Sequence, residues 1–418
     1  MTVQALSFDI HEAALGIDGL RFEANLARSL TPLANWFDLK VNSSPGPLVS
    51  DFVTHGPDFE YSTLGIHVGQ DDRLTFFGAP DRWIEGVFVD CRAGSPSLHR
   101  QVRWRFAPSP FRRLIIPRGV AHTFDGLAGI TTRDEPLWYA AEDNPHWNVN
   151  NDLISVLRAE TEFPQVQVNA HRLPEELHVY MTQLSQAVLD EPKPYSTRFK
   201  LRIGGEEQYV MFQENAWEDE GRPLQPLLDA ASGPGLTARR SRFAITGKAS
   251  WTLVPNTGAG VADVMRLPAG DGAGPCALHL HRRTRKWYTV LTAEGEPLRI
   301  DYVDLRPAWA DFGRRRVVET ICEPRVSYRI EPGVAYAFTT TVDAYLRSEN
   351  EVYVAEDEPR ADLPAFGQDL ETVDADDPVC TPASPPTLKC PDRVVRQMAR
   401  FELEPQAEQK GAYHGQTV

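Results

Sequence analysis

What this 418-residue chain lacks narrows its reading first. No apolar run approaches the ~18 residues that would cross a bilayer. The opening stretch, MTVQALSFDIHEAALGIDG, carries acids early and has no basic segment before an apolar one. Neither a membrane span nor a signal peptide is expected. Cysteine is scarce: Cys91, Cys276, Cys322, Cys380 and Cys390 form no Cys-x-x-Cys pair and are odd in number. That fits a reduced, cytoplasmic setting better than a disulfide framework. Positive charge is short as well. The 43 Lys and Arg against 58 Asp and Glu leave a net charge of −15, which argues against a sequence-independent grip on nucleic acid or an anionic membrane. The phosphate-cradling G-x-x-x-x-G-K-[ST], the strand–G-x-G-x-x-G–helix unit, the G-x-S-x-G elbow and zinc-type Cys/His spacings do not occur.

Present instead is an ordinary globular balance, 42% apolar and 24% charged, with 33 Pro and 29 Gly scattered throughout. Short segments of strand character recur between turns: RWIEGVFVD, RRLIIP, RFKLRI, QYVMF, SWTLV, KWYTVL, LRIDYVDL and VSYRIEP. The pattern predicts an all-β protein. One helix is expected over 173–191, where Leu177, Tyr180, Met181, Leu184 and Val188 recur at helical spacing before Pro192 and Pro194. A second, short one is expected in VVRQMARFEL, behind the Pro- and Asp-rich stretch DADDPVCTPASPPTLKCPDR.

Sliding the sequence against itself by 214 residues aligns 67–143 with 281–357 without a gap. His67 meets His281, Val89-Asp90-x-Arg92 meets Val303-Asp304-x-Arg306, and Gly119-Val120-Ala121-x-x-Phe124 meets Gly333-Val334-Ala335-x-x-Phe338. Nineteen of the 77 positions are identical, against roughly 5 for unrelated chains. A register that keeps His, Asp, Arg, Gly and Tyr together points to duplication. The chain is therefore divided into a first unit at 1–170, a connecting helix at 171–194, a second unit at 195–370 and a tail at 371–418.

Each unit has two short motifs. The second carries a His-x-His strand in LHLHRRTRKWYTV and later IEPGVAYAF; the first carries LGIHVG and later IIPRGVAHTF. Alternate residues of a strand face one side, so such His residues share a wall. These motifs resemble those of cupins, small jelly-roll barrels with functional side chains in the barrel mouth. VFVDCRAGSPS, IIPRGVAHTF and HWNVNNDLISV resemble the dTDP-4-dehydrorhamnose 3,5-epimerase family more closely. The likeness spans about 60–157 and 270–365. It implies two tandem cupin barrels with one or two peripheral helices, paired as an intramolecular pseudo-dimer, with a homodimer as a further possibility.

Epimerisation beside a ketone needs a base, an acid on the other face, and donors for the enolate. The resemblance carries the base onto His67, the catalytic Tyr onto Tyr139 and the second barrel His onto His122. It leaves Leu64 where relatives have an Arg, and Arg73 as the nearest counterpart of a Lys. The Asp that holds the base falls near Val149 or Asn150, with Asp152 in reach only if the loop shifts. In the second unit His279, His281, Tyr336 and Tyr353 occupy matching places, and Lys286 stands where a metal-binding cupin has Glu. Arg282, Arg283, Arg285 and Lys286 form a basic cluster that reads as a solvated hairpin or an anion site. The expected substrate contacts are thus Arg73, His122, Asn150, His279, His281, Arg283, Tyr336 and Tyr353. No metal or cofactor is expected. The implied partner is a small molecule, for instance a dTDP-sugar in polysaccharide or secondary-metabolite assembly. A cyclase, dehydratase or isomerase of a non-sugar metabolite, and a non-catalytic binding barrel, are the alternatives.

Overall fold

The computed structural model of the chain describes residues 3–7, 9–25, 28–29, 37–40, 51–141, 147, 152–174, 195–203, 206–214, 223–241, 243–245, 250–253, 262–271, 273–307, 312–354, 370–375 and 388–390. Both helices expected from periodicity, at 173–191 and in VVRQMARFEL, lie outside these residues apart from 173 and 174. The described helix is a short one, Gln225–Ala230. The rest of the regular structure among the described residues is strand.

Two jelly-roll barrels account for most of the sheet. In the first, a six-stranded wall runs in the order Gln4–Leu6, Gln101–Phe106, Ile84–Asp90, Val120–Asp125, Thr63–His67, Leu153–Leu157. The facing wall contains Arg21–Ala24, Ser109–Ile116, Gln70–Phe77, Thr131–Asp134 and Asp51–His55 in that order. The second barrel repeats both walls: Arg315–Ile321, Pro297–Asp304, Val334–Thr340, Ala277–His281 and Leu370–Asp374, opposite Leu236–Arg240, Val326–Ile330, Thr284–Val290, Ala344–Val354 and Ala262–Leu267. His67 and His281 close equivalent strands, Thr63–His67 and Ala277–His281. The duplication inferred from the 214-residue offset is therefore a duplication of structure.

Each barrel closes on its own apolar filling, drawn from alternate residues of the two walls. Phe76, Phe88, Phe106 and Phe124 meet in the first; Tyr288, Tyr328, Tyr336 and Phe338 meet in the second. Burying each such ring contributes about 1.5–3 kcal/mol.

The barrels also exchange strands. Ser250–Leu253, from the second half of the chain, pairs with Asp51–His55 of the first barrel, through Thr252↔Val53 and Leu253↔Phe52. Phe37–Lys40, from the first half, pairs with Ala262–Leu267 of the second, through Val264↔Leu39. The two arrangements correspond, so each half lends a strand to the other. Behind them Phe52 packs on Phe77 (ring centroids 6.2 Å apart), Phe77 on Tyr345 (5.4 Å), and the Arg347 guanidinium lies 5.1 Å from the Phe52 ring. The boundaries drawn from sequence change accordingly. The strand Leu370–Asp374 runs across the expected edge at 370, pairing with Ala277–His281, and Leu388–Lys389 in the expected tail pairs with Tyr353 and Val354.

Candidate active site

Period two on the strand Gln70–Phe77 turns Gln70, Asp72, Leu74 and Phe76 to the inside of the first barrel, where with His67 and His122 they line a cavity of about 240 Å³. Val53, Leu127 and Leu153 add apolar surface, and Tyr61 and His55 also border it.

His67 ends its strand, and its Nδ1 lies 3.1 Å from Oδ2 of Asp152. Asp152 is itself fixed. Its Oδ1 accepts from the Gly69 amide and from the Trp147 indole, both at 2.6 Å. Burial alone would push the His67 pKa down. The charge of Asp72, the hydrogen bond and charge of Asp152, and the charge of Asp134 together raise it to about 9. His122 sits on the adjacent strand, which pairs with that of His67 through His122↔Gly65. The two rings stack with centroids 6.0 Å apart. His122 Nδ1 is 3.1 Å from the Val120 carbonyl and Nε2 is 3.3 Å from Asp72. Burial lowers its pKa, against the pull of Asp72 and helped by the charge of His67. Neighbouring imidazoles are thereby driven apart, one toward the charged form and one toward the neutral.

The expected loop shift is unnecessary: Asp152 is in contact with His67 as the chain stands. Val149 and Asn150 lie outside the described residues. Tyr139 departs from expectation. Its strand, Leu137–Ala140, pairs Trp138 with Gln70, and the Trp138 indole donates to Gln70 Oε1 at 2.8 Å. The next residue, Tyr139, consequently faces away. It lies under the Arg118 guanidinium at 3.6 Å, its phenol raised in pKa by burial and by Asp71. The phenol that borders the cavity is Tyr61, pushed up to about 12 by burial, Asp72 and Asp134. Arg73 also points outward, because it alternates with Asp72; its Nε–H donates to the Glu135 carbonyl at 2.7 Å.

In the second barrel His279, His281 and Tyr336 do come together. The Tyr336 ring lies 6.4 Å from His279 and 6.2 Å from His281, and its hydroxyl is 2.5 Å from that of Tyr288. Burial, His281 and Lys286 push His279 down to about 4. The basic cluster is divided by the pleat. Lys286 is buried, whereas Arg285 pairs with Glu331 and Glu351 at 2.9 Å and Arg282 with Glu371 at 2.8 Å. Tyr353 joins Arg285, its hydroxyl donating to Glu351 at 2.9 Å, as Tyr139 joins Arg118. The Arg283 carbonyl accepts from the Tyr353 amide at 2.7 Å.

Sequence reasoning missed Asp72, Asp134, Gln70 and Tyr61. For Gln70 and Asp72 the alternation along QDDRLTFF was the available signal. It also missed that His67, Asp72 and His122 bring donor atoms within 4.8 Å of one another, a two-His, one-carboxylate set that could seat a divalent cation. The Nδ1 contacts with Asp152 and with the Val120 carbonyl leave Nε2 of both rings on the cavity side, which suits that set.

No family model and no curated protein matches the sequence. Solved structures similar to it include the dTDP-4-dehydrorhamnose 3,5-epimerase of Bacillus anthracis str. Ames with TDP and PPi bound (16% identity, 29% of this chain and 75% of that one, TM-score 0.22). NovW, a 4-keto-6-deoxy sugar epimerase of Streptomyces spheroides, is 18% identical over 31% of this chain and 70% of its own, with a TM-score of 0.24. ChmJ, a 3'-monoepimerase from Streptomyces bikiniensis in complex with dTDP-quinovose, is 17% identical over 40% and 88%, with a TM-score of 0.25. At these identities and scores the similarity assigns no activity to this chain.

Proposed function

We propose that the first barrel is a proton-transfer enzyme of the isomerase or epimerase class, acting on carbon next to a ketone. One observation carries this reading: His67 and His122 stand side by side in a cavity, each against its own carboxylate, Asp152 and Asp72. His122, kept neutral, takes the carbon-bound proton as His67 gives its proton to the ketone oxygen. The product of that exchange is an enol. The enol O–H then returns its proton to His67 as carbon is reprotonated, by His122 after exchange with solvent for simple exchange, or by water from the opposite face for inversion. Asp152 keeps His67 oriented and balances its charge, in the way a carboxylate supports a catalytic imidazole. A nucleotide-activated 4-keto-deoxysugar, such as a dTDP-sugar, would place its sugar ring in the cavity and its diphosphate outside.

The test is deuterium incorporation from D2O into a panel of dTDP-4-keto-6-deoxy sugars and free ketoses, read by mass spectrometry. Incorporation that disappears in His67→Asn and His122→Asn supports the proposal. No incorporation into any ketone, or incorporation untouched by either variant, contradicts it and favours a barrel that only binds.

The grouping of His67, Asp72 and His122 favours one second reading, in which a bound divalent cation polarises the ketone. Exhaustive chelation separates the two. Proton exchange persists under the first and is lost under the second.

A further inference from the structure

The lining of the same cavity also bears on what enters it, an inference that rests on the proton-transfer reading and extends it to the substrate. Among the described residues that border it are Asp72 and Asp134, and none is Arg or Lys; its cationic group, the His67 imidazolium, already has Asp152 as its own carboxylate. The two carboxylates are diagonal neighbours on one wall, since Asp134 pairs with Leu74, two residues along from Asp72. They converge on a single amide nitrogen. Gln70 Nε2 donates to Asp72 Oδ1 at 2.6 Å and reaches Asp134 Oδ2 at 3.4 Å. Next to them on the strand Thr131–Asp134, the Thr132 hydroxyl is buried, 7% of the residue remaining exposed, and has no hydrogen-bond partner. A buried hydroxyl without a partner is costly in a folded protein unless something else supplies one.

The duplication provides a control. Lys286, Ser348 and Leu346 of the second barrel stand at the positions of Asp72, Asp134 and Thr132 (each number larger by 214). All three are buried inside an equivalent barrel. The fold therefore does not require carboxylates or a hydroxyl there, and the acidic wall belongs to the first cavity alone.

We propose that the group entering the first cavity is a hydroxylated ring bearing a protonated amine, with the ammonium seated between Asp72 and Asp134 and a ring hydroxyl at Thr132. An ammonium has three donors to offer two carboxylates. Bonds between charged partners are also stronger than neutral ones. An anionic ring would meet like charge in the same place.

The experiment is calorimetric titration at pH 7 of the full-length, EDTA-treated protein with D-glucosamine, D-glucose and D-glucuronate. Glucosamine is expected to bind at least tenfold more tightly than glucose, with glucuronate weaker than either. The isosteric variants Asp72→Asn and Asp134→Asn are expected to bring the glucosamine-to-glucose ratio to near one while glucose binding is kept. Equal binding of the two sugars, preference for glucuronate, no binding of any probe, or a preference that survives both variants overturns the proposal. A parallel titration with Zn2+ and Mn2+ addresses the other source of positive charge. Metal binding lost in Asp72→Asn, together with no amine preference, also overturns it. Failure here leaves deuterium exchange through His67 intact, and failure of that exchange with amine preference retained counts against the proton-transfer reading alone.

Discussion

Asp152 holds more of the candidate chemistry in place than any other single side chain. It accepts from the His67 imidazole, the Gly69 amide and the Trp147 indole, so losing its charge loosens His67 and removes part of what, with Asp72 and Asp134, keeps it charged. In Asp152→Asn the His67 pKa should fall from about 9 toward the ordinary histidine value, as followed by NMR, and proton exchange should drop by about 100-fold. Exchange at the wild-type rate in that variant would remove Asp152 from the account. His55 gives a separate test through stability. Burial depresses its pKa from 6.5 to about 4, only partly offset by its bond to the Ile130 carbonyl. A histidine depressed in the folded state stabilises the fold above the unfolded value and loses that contribution as the pH falls from 6.5 toward 4. The loss amounts to about 3 kcal/mol. Urea midpoints at pH 7.5 and 4.5 should differ more for wild type than for His55→Gln. At this scale His67 and His122 were legible because each sits in a motif. Asp152 was legible only as a partner that a loop shift would bring in reach, because the residues before it leave the register of the resemblance, and contact across such a loop is not a matter of spacing. Tyr139 was misplaced for a simpler reason: one residue of strand alternation separates it from Trp138, and a one-residue change of phase reverses the face.

Alternation and pairing decide which elements build the cavity and which join the barrels. Identities shared by the two copies fall mostly on scaffold. Arg92 grips Asp90 as Arg306 grips Asp304, through paired contacts of 2.6–3.1 Å. Gly119 and Gly333 both adopt positive φ, +80° and +84°, and a Cβ at Gly119 would lie 2.4 Å from Arg92 Cγ. Their amides donate to the carbonyls of His67 and His281 at 2.6 and 2.8 Å, which ties each turn to the strand end carrying the histidine. These repeats made the walls readable from the sequence, and all eight strand-like segments singled out there do form strands. The exchange of strands between barrels was not readable. A strand's periodicity is the same whichever sheet receives it. The seam they create yields a prediction: Phe52, fully buried against Phe77 and Arg347, should on replacement by Ala cost about 3–5 kcal/mol in denaturant unfolding. A loss below 1 kcal/mol would mean that the barrels do not depend on this contact.

At the scale of the whole molecule, duplication has preserved a scaffold and released the two interiors. The first contains Asp72, Asp134, His67 and His122; the second has Lys286, Ser348, His281 and Tyr336 in their places. Among the described residues no helix is long and apolar enough to cross a membrane. Since each half lends a strand to the other, 1–194 and 195–418 produced separately should each unfold without a cooperative transition, and should regain one when mixed. Two independently cooperative halves would contradict the structural exchange. Matched variants in the two barrels decide whether the proposed proton transfer takes place in the first. Deuterium incorporation into the responding ketone is to be compared in His67→Asn and His281→Asn, with circular dichroism confirming that both are folded. His67→Asn is expected to abolish incorporation, and His281→Asn to leave it within about twofold of wild type. Loss in His281→Asn with His67→Asn unaffected would contradict this and move the chemistry to the second barrel.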